Sequence, residues 1–156
     1  MRRRVLVVLA LLCGLSLFVP STAFAAPTTH NRADAAAGWL ARQMVDGERF
    51  EVDFGGVLYP DTGLTIDGVF AFAAAQSADD YADRAIARLS QPTVTTGYIG
   101  SGGEAYAGAH AKLMPAAQVA EADPTSFGGV DLNAGLLALL TPSGRFSDNS
   151  ALAPRR

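Results

Sequence analysis

The one cysteine of this 156-residue chain, Cys13, lies inside an N-terminal apolar run. Once that run is removed, no thiol remains to staple a fold or to hold zinc. Whatever the chain folds into is therefore held by packing. The leader itself reads as a secretory signal: Arg2, Arg3 and Arg4 give a basic start, 5–19 is apolar, and Ala23, Phe24 and Ala25 form a small-x-small site. Cleavage is expected between Ala25 and Ala26, which sends the protein to the medium or the cell envelope. The apolar run is shorter than the ~20 residues that cross a bilayer, and Pro20 closes it, so a retained anchor fits less well. Leu12 precedes Cys13 where a lipid-modified signal needs a small residue, so lipid attachment fits less well still.

Losing 1–25 removes three arginines and no acid, leaving nine basic against fifteen acidic side chains, a net charge of −6. A surface of that sign repels nucleic-acid phosphates, and no polybasic run suits an anionic membrane, so neither is expected as a partner. About 130 residues remain, enough for one domain. The expected order is 26–32 as a flexible N-terminus, 33–146 as the folded domain and 147–156 as a polar tail.

Helix signals dominate and predict an all-α domain of five helices. In 33–46, Ala36, Leu40 and Met44 recur at a spacing of four, Trp39 widens the stripe, Asn31 with Asp34 supplies a start and Gly47 a left-handed end. Residues 48–60, where Phe50, Val52 and Phe54 alternate with Glu51 and Asp53, read as a loop or short strand pair, too short for a sheet of its own. The run 64–75, capped by Asp61 or Thr62, is apolar on every side except at Thr65 and Asp67 and reads as the most buried helix, buried all round with Asp67 facing inward. Residues 77–89 form an amphipathic helix with Ser77 and Asp80 at capping spacing, an Asp80–Arg84 pair and a stop at Pro92. Ser101 and Glu104 read as a capping box for a helix carrying Ala105, Ala109 and Leu113, which Pro115 should kink. A last helix covers 130–140. The alternation of buried and amphipathic helices suggests two concentric helical layers.

Phe50, Tyr98 and Phe146 recur at a constant interval of 48 residues, which suits a helix pair with its loops. Two helix exits also end in Arg-Phe after a glycine, at Gly47 to Phe50 and at Gly144 to Phe146. Trp39-Leu40 followed by Gln43, Asp46-Gly47 and Phe50 resembles the repeat of the terpenoid cyclase and protein prenyltransferase superfamily. Asp61 to Asp67 leading into Val69-Phe70-Ala71-Phe72 resembles an inner helix of its α/α toroid. The resemblance implies helical hairpins of an incomplete toroid, because a closed one needs more hairpins than this chain supplies. A truncated or frame-altered product is one reading. The superfamily's chemistry does not follow: Asp79-Asp80 lacks the upstream acid of the cyclase motif, and the prenyltransferase zinc set needs a cysteine.

Three residues stand out as candidate ligand-binding positions. Asp67 is the lone charge on an apolar helix, so it is either bonded to a neighbouring helix or loop, raised in pKa, or facing a wet cavity. Tyr106 and His110 share a helix face one turn apart, which lets a phenol and a base converge on a ligand. The plainer reading of His110 is a satisfied interface residue. Glu104 and Asp61 are explained by their helix starts, and His30 lies in the new N-terminus. Glu48, Glu51, Asp53 and Asp61 suggest calcium only by their sign, without a calcium-loop pattern, and read as a solvated acidic loop. No phosphate loop, nucleophile elbow or zinc-protease motif is present, so neither metal nor cofactor is expected.

The expected function is a non-catalytic exported repeat domain that binds or supports a cell-envelope or extracellular polymer or protein. The alternative is a fragment of a toroid enzyme acting on an isoprenoid or a saccharide. Leu132, Leu136, Leu137, Leu139 and Leu140 have no following hairpin to cover them, which points to self-association through the last helix. Intact-mass measurement of the exported protein should give a chain starting at Ala26. A secreted product retaining Arg2 would refute the signal reading.

Overall fold

The fold is described by a computed structural model for residues 31–151. The leader, the Ala25–Ala26 site, His30 and the last five residues lie outside the described residues. In order come α1 (Arg32–Ala41), β1 (Phe50–Phe54), β2 (Val57–Asp61), α2 (Thr62–Ala75), α3 (Asp79–Leu89), α4 (Pro92–Ile99), α5 (Ala107–Val119) and α6 (Leu132–Leu137). The all-α, five-helix toroid expectation is overturned, because among the described residues six helices accompany a two-stranded antiparallel sheet.

The sheet exists because of its turn. Gly55 and Gly56 both take positive φ, 68° and 89°, the pair of left-handed residues that a two-residue hairpin requires. Asp53 Oδ1 accepts the Gly56 N–H at 2.6 Å and locks the turn. The register then runs from Phe54 opposite Val57 to Phe50 opposite Asp61. A lone hairpin is marginal in water, and this one is tied down at its base by Thr65. Its buried hydroxyl accepts the Phe50 N–H at 3.0 Å and donates to the Asp61 carbonyl at 2.7 Å. The Phe50 ring lies over Gly68, where a Cβ would come within 2.6 Å of it.

Helix α2 is capped by Asp61, whose Oδ1 accepts the Leu64 N–H at 2.8 Å, and it packs against α1, α3, α5 and β1. It is not buried all round. Thr65, Ile66, Gly68, Val69 and Phe72 face the core, while Leu64, Asp67, Ala71, Ala73 and Ala74 face outward. Alanine makes that exposure cheap, since a methyl group leaves little apolar area in water. The concentric-layer expectation falls with it.

The other helix starts are mixed. Asn31 caps α1 by accepting the Ala33 N–H at 2.9 Å, as the sequence suggests. The Ser77 cap does not form, because Ala78 occupies the N-cap of α3 with φ 66° and no side-chain bond. The Asp80–Arg84 pair is present at 3.0 Å. Pro92 does more than end α3: it sits in the first turn of α4, where its missing N–H costs nothing. The Ser101–Glu104 capping box is also absent. Gly102 and Gly103 take positive φ and keep this stretch a turn, and α5 begins instead at Ala107, whose N–H is accepted by Asp148 Oδ1 at 2.7 Å. Pro115 lies within α5, which continues past it to Val119. The last helix is shorter than 130–140, because Leu140 leaves it to bridge with Phe146.

The aromatic interval of 48 marks no structural equivalence, since Phe50 is in a strand, Tyr98 on a helix and Phe146 in an irregular segment. The two helix exits do share a closure. Val45–Arg49 and Leu140–Phe146 are isolated bridges, each enclosing a left-handed glycine, Gly47 or Gly144.

Thr65→Val should destabilise the domain by about 1–3 kcal/mol, the cost of leaving a buried N–H and carbonyl unpaired. Denaturant unfolding measures the loss, and hydrogen exchange should quicken at the Phe50 amide first.

Candidate functional site

Asp67 does not face an inner cavity. It lies on the outer side of α2, 57% exposed at its side chain, with Oδ1 2.8 Å from the Nζ of Lys112 on α5. The same ammonium donates to the Gly63 carbonyl at 3.0 Å. A Cβ at Gly63 would stand 3.4 Å from Asp61 Oδ1, 3.8 Å from the Tyr98 hydroxyl and 3.9 Å from Lys112 Nζ, so these groups gather around that glycine. Burial pushes the Tyr98 pKa above its ordinary value; Lys112 opposes the rise, and Asp67 and Asp61 add to it. The cluster stitches the first turns of α2 to α4 and α5. Sequence reasoning missed Lys112 and Tyr98, although Lys112 is the only lysine in the chain and so was open to notice.

Tyr106 and His110 do not converge on a common space. The Tyr106 hydroxyl donates to the Glu104 carboxylate, and this bond raises its pKa. His110 is buried between α5 and α6, with Nδ1 2.9 Å from the Tyr106 carbonyl. A carbonyl only accepts, so Nδ1 carries the proton. Against the other ring edge lies Gly135, where a Cβ would approach Nε2 to 2.6 Å. His110 is thus a packing residue that demands a glycine on the facing helix. Among the described residues no hydrogen bond or ion pair joins Asp67 to either Tyr106 or His110.

Arginine neutralises part of the acidic loop, at Glu48 and Glu51, whereas Asp53 and Asp61 accept backbone N–H groups instead. Arg49 holds Asp46 at 2.9 Å, Glu48 at 3.2 Å and Glu51 at 2.8 Å, and Arg88 reaches Glu48 at 2.9 Å. Among the described residues no group of three or more His, Cys, Asp or Glu side chains could hold a metal ion. None of their helices is long and apolar enough to cross a membrane.

What the surface does present is apolar. Alternation along the hairpin puts Phe50, Val52 and Phe54 on one face with Val57 and Tyr59 from the paired strand. Phe50 is buried at the base, whereas Phe54 at 68% exposure, Val57 and Tyr59 stand in solvent near the tip, and Leu58 at 62% does so on the opposite face. Phe54 and Tyr59 meet edge to face with ring centroids 6.0 Å apart. A second apolar surface lies at the C-terminal end, where Leu137, Leu140 and Phe146 are exposed beside a groove of about 430 Å³ between Ala107, Ala111 and Leu136. A third, of about 310 Å³, runs over Val69, Ala73, Ala82 and Val119 with Asp79, Asp83 and Glu121 on its rim.

No family model, curated protein or solved structure matches this chain. Its surfaces are therefore read from their own chemistry.

Lys112→Met should raise the Tyr98 pKa further, because it removes the one group that lowers it. A raised phenol pKa means the folded state holds its proton longer than the unfolded state does. That stability is intact below pH 10.0, the ordinary tyrosine value, and is lost as pH rises through the folded pKa. The Tyr98 ring shifts, followed by NMR across alkaline pH, measure the change. An unshifted titration would contradict the electrostatic assignment.

Proposed function

We propose that the chain is an exported, non-catalytic binding domain whose contact element is the β1–β2 hairpin. The supporting observation is the aromatic and aliphatic surface at its tip, Phe54, Val57, Leu58 and Tyr59, held out on a base anchored by Thr65. Apolar groups gathered on one projecting element favour association, since each aromatic ring removed from water contributes about 2 kcal/mol. Asp67, Tyr106 and His110 already have partners within the fold, which supports a binding role over a catalytic one. Export rests on the leader, and the partner belongs to the envelope or the extracellular space. Kinship with the terpenoid cyclase and prenyltransferase superfamily is proposed only for the helix-exit motif at Trp39 to Phe50, and it brings no activity with it.

Self-association through the C-terminal end is a second reading, supported by the exposure of Leu137, Leu140 and Phe146. Sedimentation of the wild type against Leu137→Ser tests it: a concentration-dependent dimer that the substitution abolishes is expected.

The hairpin reading is tested with the paired substitutions Phe54→Ser and Tyr59→Ser. Both positions are exposed, so the melting temperature should hold. Wild-type protein should co-fractionate with envelope material while the variant is recovered free, with affinity lower by at least tenfold if both rings are buried in the contact. Identical fractionation of the two proteins would remove the hairpin from the function.

A further inference from the structure

Each strand of the hairpin has an outer edge, and the two edges differ. A two-residue turn makes Phe54 and Val57 a hydrogen-bonded pair, so pairing alternates down the ladder from there. The N–H and C=O groups of Glu51 and Asp53 on β1, and those of Leu58 and Pro60 on β2, consequently point away from it. On β2 the proline has no N–H, which removes half of that edge's donors. On β1 both residues have their full set, and among the described residues these groups make no backbone bond outside the ladder. Free N–H and C=O groups in a row are a template for an added strand.

The side chains of β1 say which strand fits. Glu51 and Asp53 lie on one face, Val52 and Phe54 on the other. A second copy of β1 would set carboxylate against carboxylate, an unfavourable cross-strand pair. A strand with basic residues at alternate positions would place them against Glu51 and Asp53 and its apolar residues beside Val52 and Phe54. Asp53 is exposed and has no arginine partner, unlike Glu51, so it is the side chain most open to an incoming cation. The net acidic character of the mature chain favours the encounter.

We infer that the outer edge of β1 accepts an extended peptide segment in which basic and apolar residues alternate, adding a third strand to the hairpin. This rests on the proposal that the hairpin is the contact element, and it names the partner's chemistry. The apolar face supplies contact area, the edge supplies direction and register, and Asp53 supplies selection by charge.

The test uses the full secreted chain and two end-blocked hexapeptides, one alternating Lys with Val and one alternating Glu with Val. The lysine peptide should bind, weaken as salt is raised, and slow hydrogen exchange at the outward amides of Glu51 and Asp53. Asp53→Asn retains the oxygen that accepts the Gly56 N–H and should weaken binding about two- to fivefold. Glu51→Lys combined with Asp53→Lys should reverse the preference toward the glutamate peptide. Equal binding of both peptides, protection at Leu58 in place of Glu51 and Asp53, or a peptide-free dimer abolished by Phe54→Ser would each overturn the inference. If the lysine peptide fails to bind while Phe54→Ser with Tyr59→Ser still frees the protein from the envelope, only strand addition falls. If those substitutions also change nothing, the hairpin reading falls with it.

Discussion

The hydroxyl of Thr65 is the joint on which the hairpin depends. It takes the Phe50 N–H and gives its own proton to the Asp61 carbonyl, so it ties the last paired residues of the two strands to a side chain rooted in α2. Asp61 is at once the end of β2 and the cap of α2. Both strands and the helix therefore share three hydrogen bonds among Phe50, Asp61, Leu64 and Thr65, and the base of the hairpin moves only with the helix. Gly68 extends the joint by one turn, leaving room for the Phe50 ring to lie against the helix backbone.

Because α2 also packs against α1, α3 and α5, this joint connects the exposed tip to the centre of the core. Ile66, Phe72, Leu89, Leu113 and Leu132 are essentially sealed from water, which is how a chain without a disulfide holds itself together. The closure comes from the polar C-terminal segment. Asp148 caps α5, Asn149 bridges Ala105 in an antiparallel pair, and its side-chain amide donates to the Gly103 carbonyl at 2.7 Å. Of the polar tail expected from the sequence, Asp148, Asn149 and Ser150 are hydrogen-bonded to 103–107.

The distribution of charge follows the same division. Acids near the core rim are matched by arginine at Arg49 and Arg88, and Asp67 by the single lysine. Asp53, near the hairpin tip, spends one oxygen on the turn and meets no cation. The hairpin tip thus joins an exposed apolar surface to a carboxylate with no cationic partner.

Features carried by residues two to four apart were legible in the sequence: the Asn31 and Asp61 caps and the Asp80–Arg84 pair. Their partners are fixed by helical spacing, whatever the rest of the chain does. The hairpin was half legible. The alternation at Phe50, Val52 and Phe54 is visible in the sequence, whereas the Gly55-Gly56 turn that converts it into a sheet shows itself only in the backbone geometry. The candidate site was the least legible. Whether Asp67 met a cavity or Lys112, whether His110 met a ligand or Gly135, and whether Glu104 capped α5 or Asp148 did, were settled by groups 25 to 45 positions away in the chain. Local hydrogen bonds form wherever the spacing allows, whereas a long-range partner exists only after the core has chosen which faces meet. The sequence by itself thus determined where α1 and α2 begin and which residues can line a core, and only the tertiary structure decided the remaining helix starts and which polar side chains were left to do anything else.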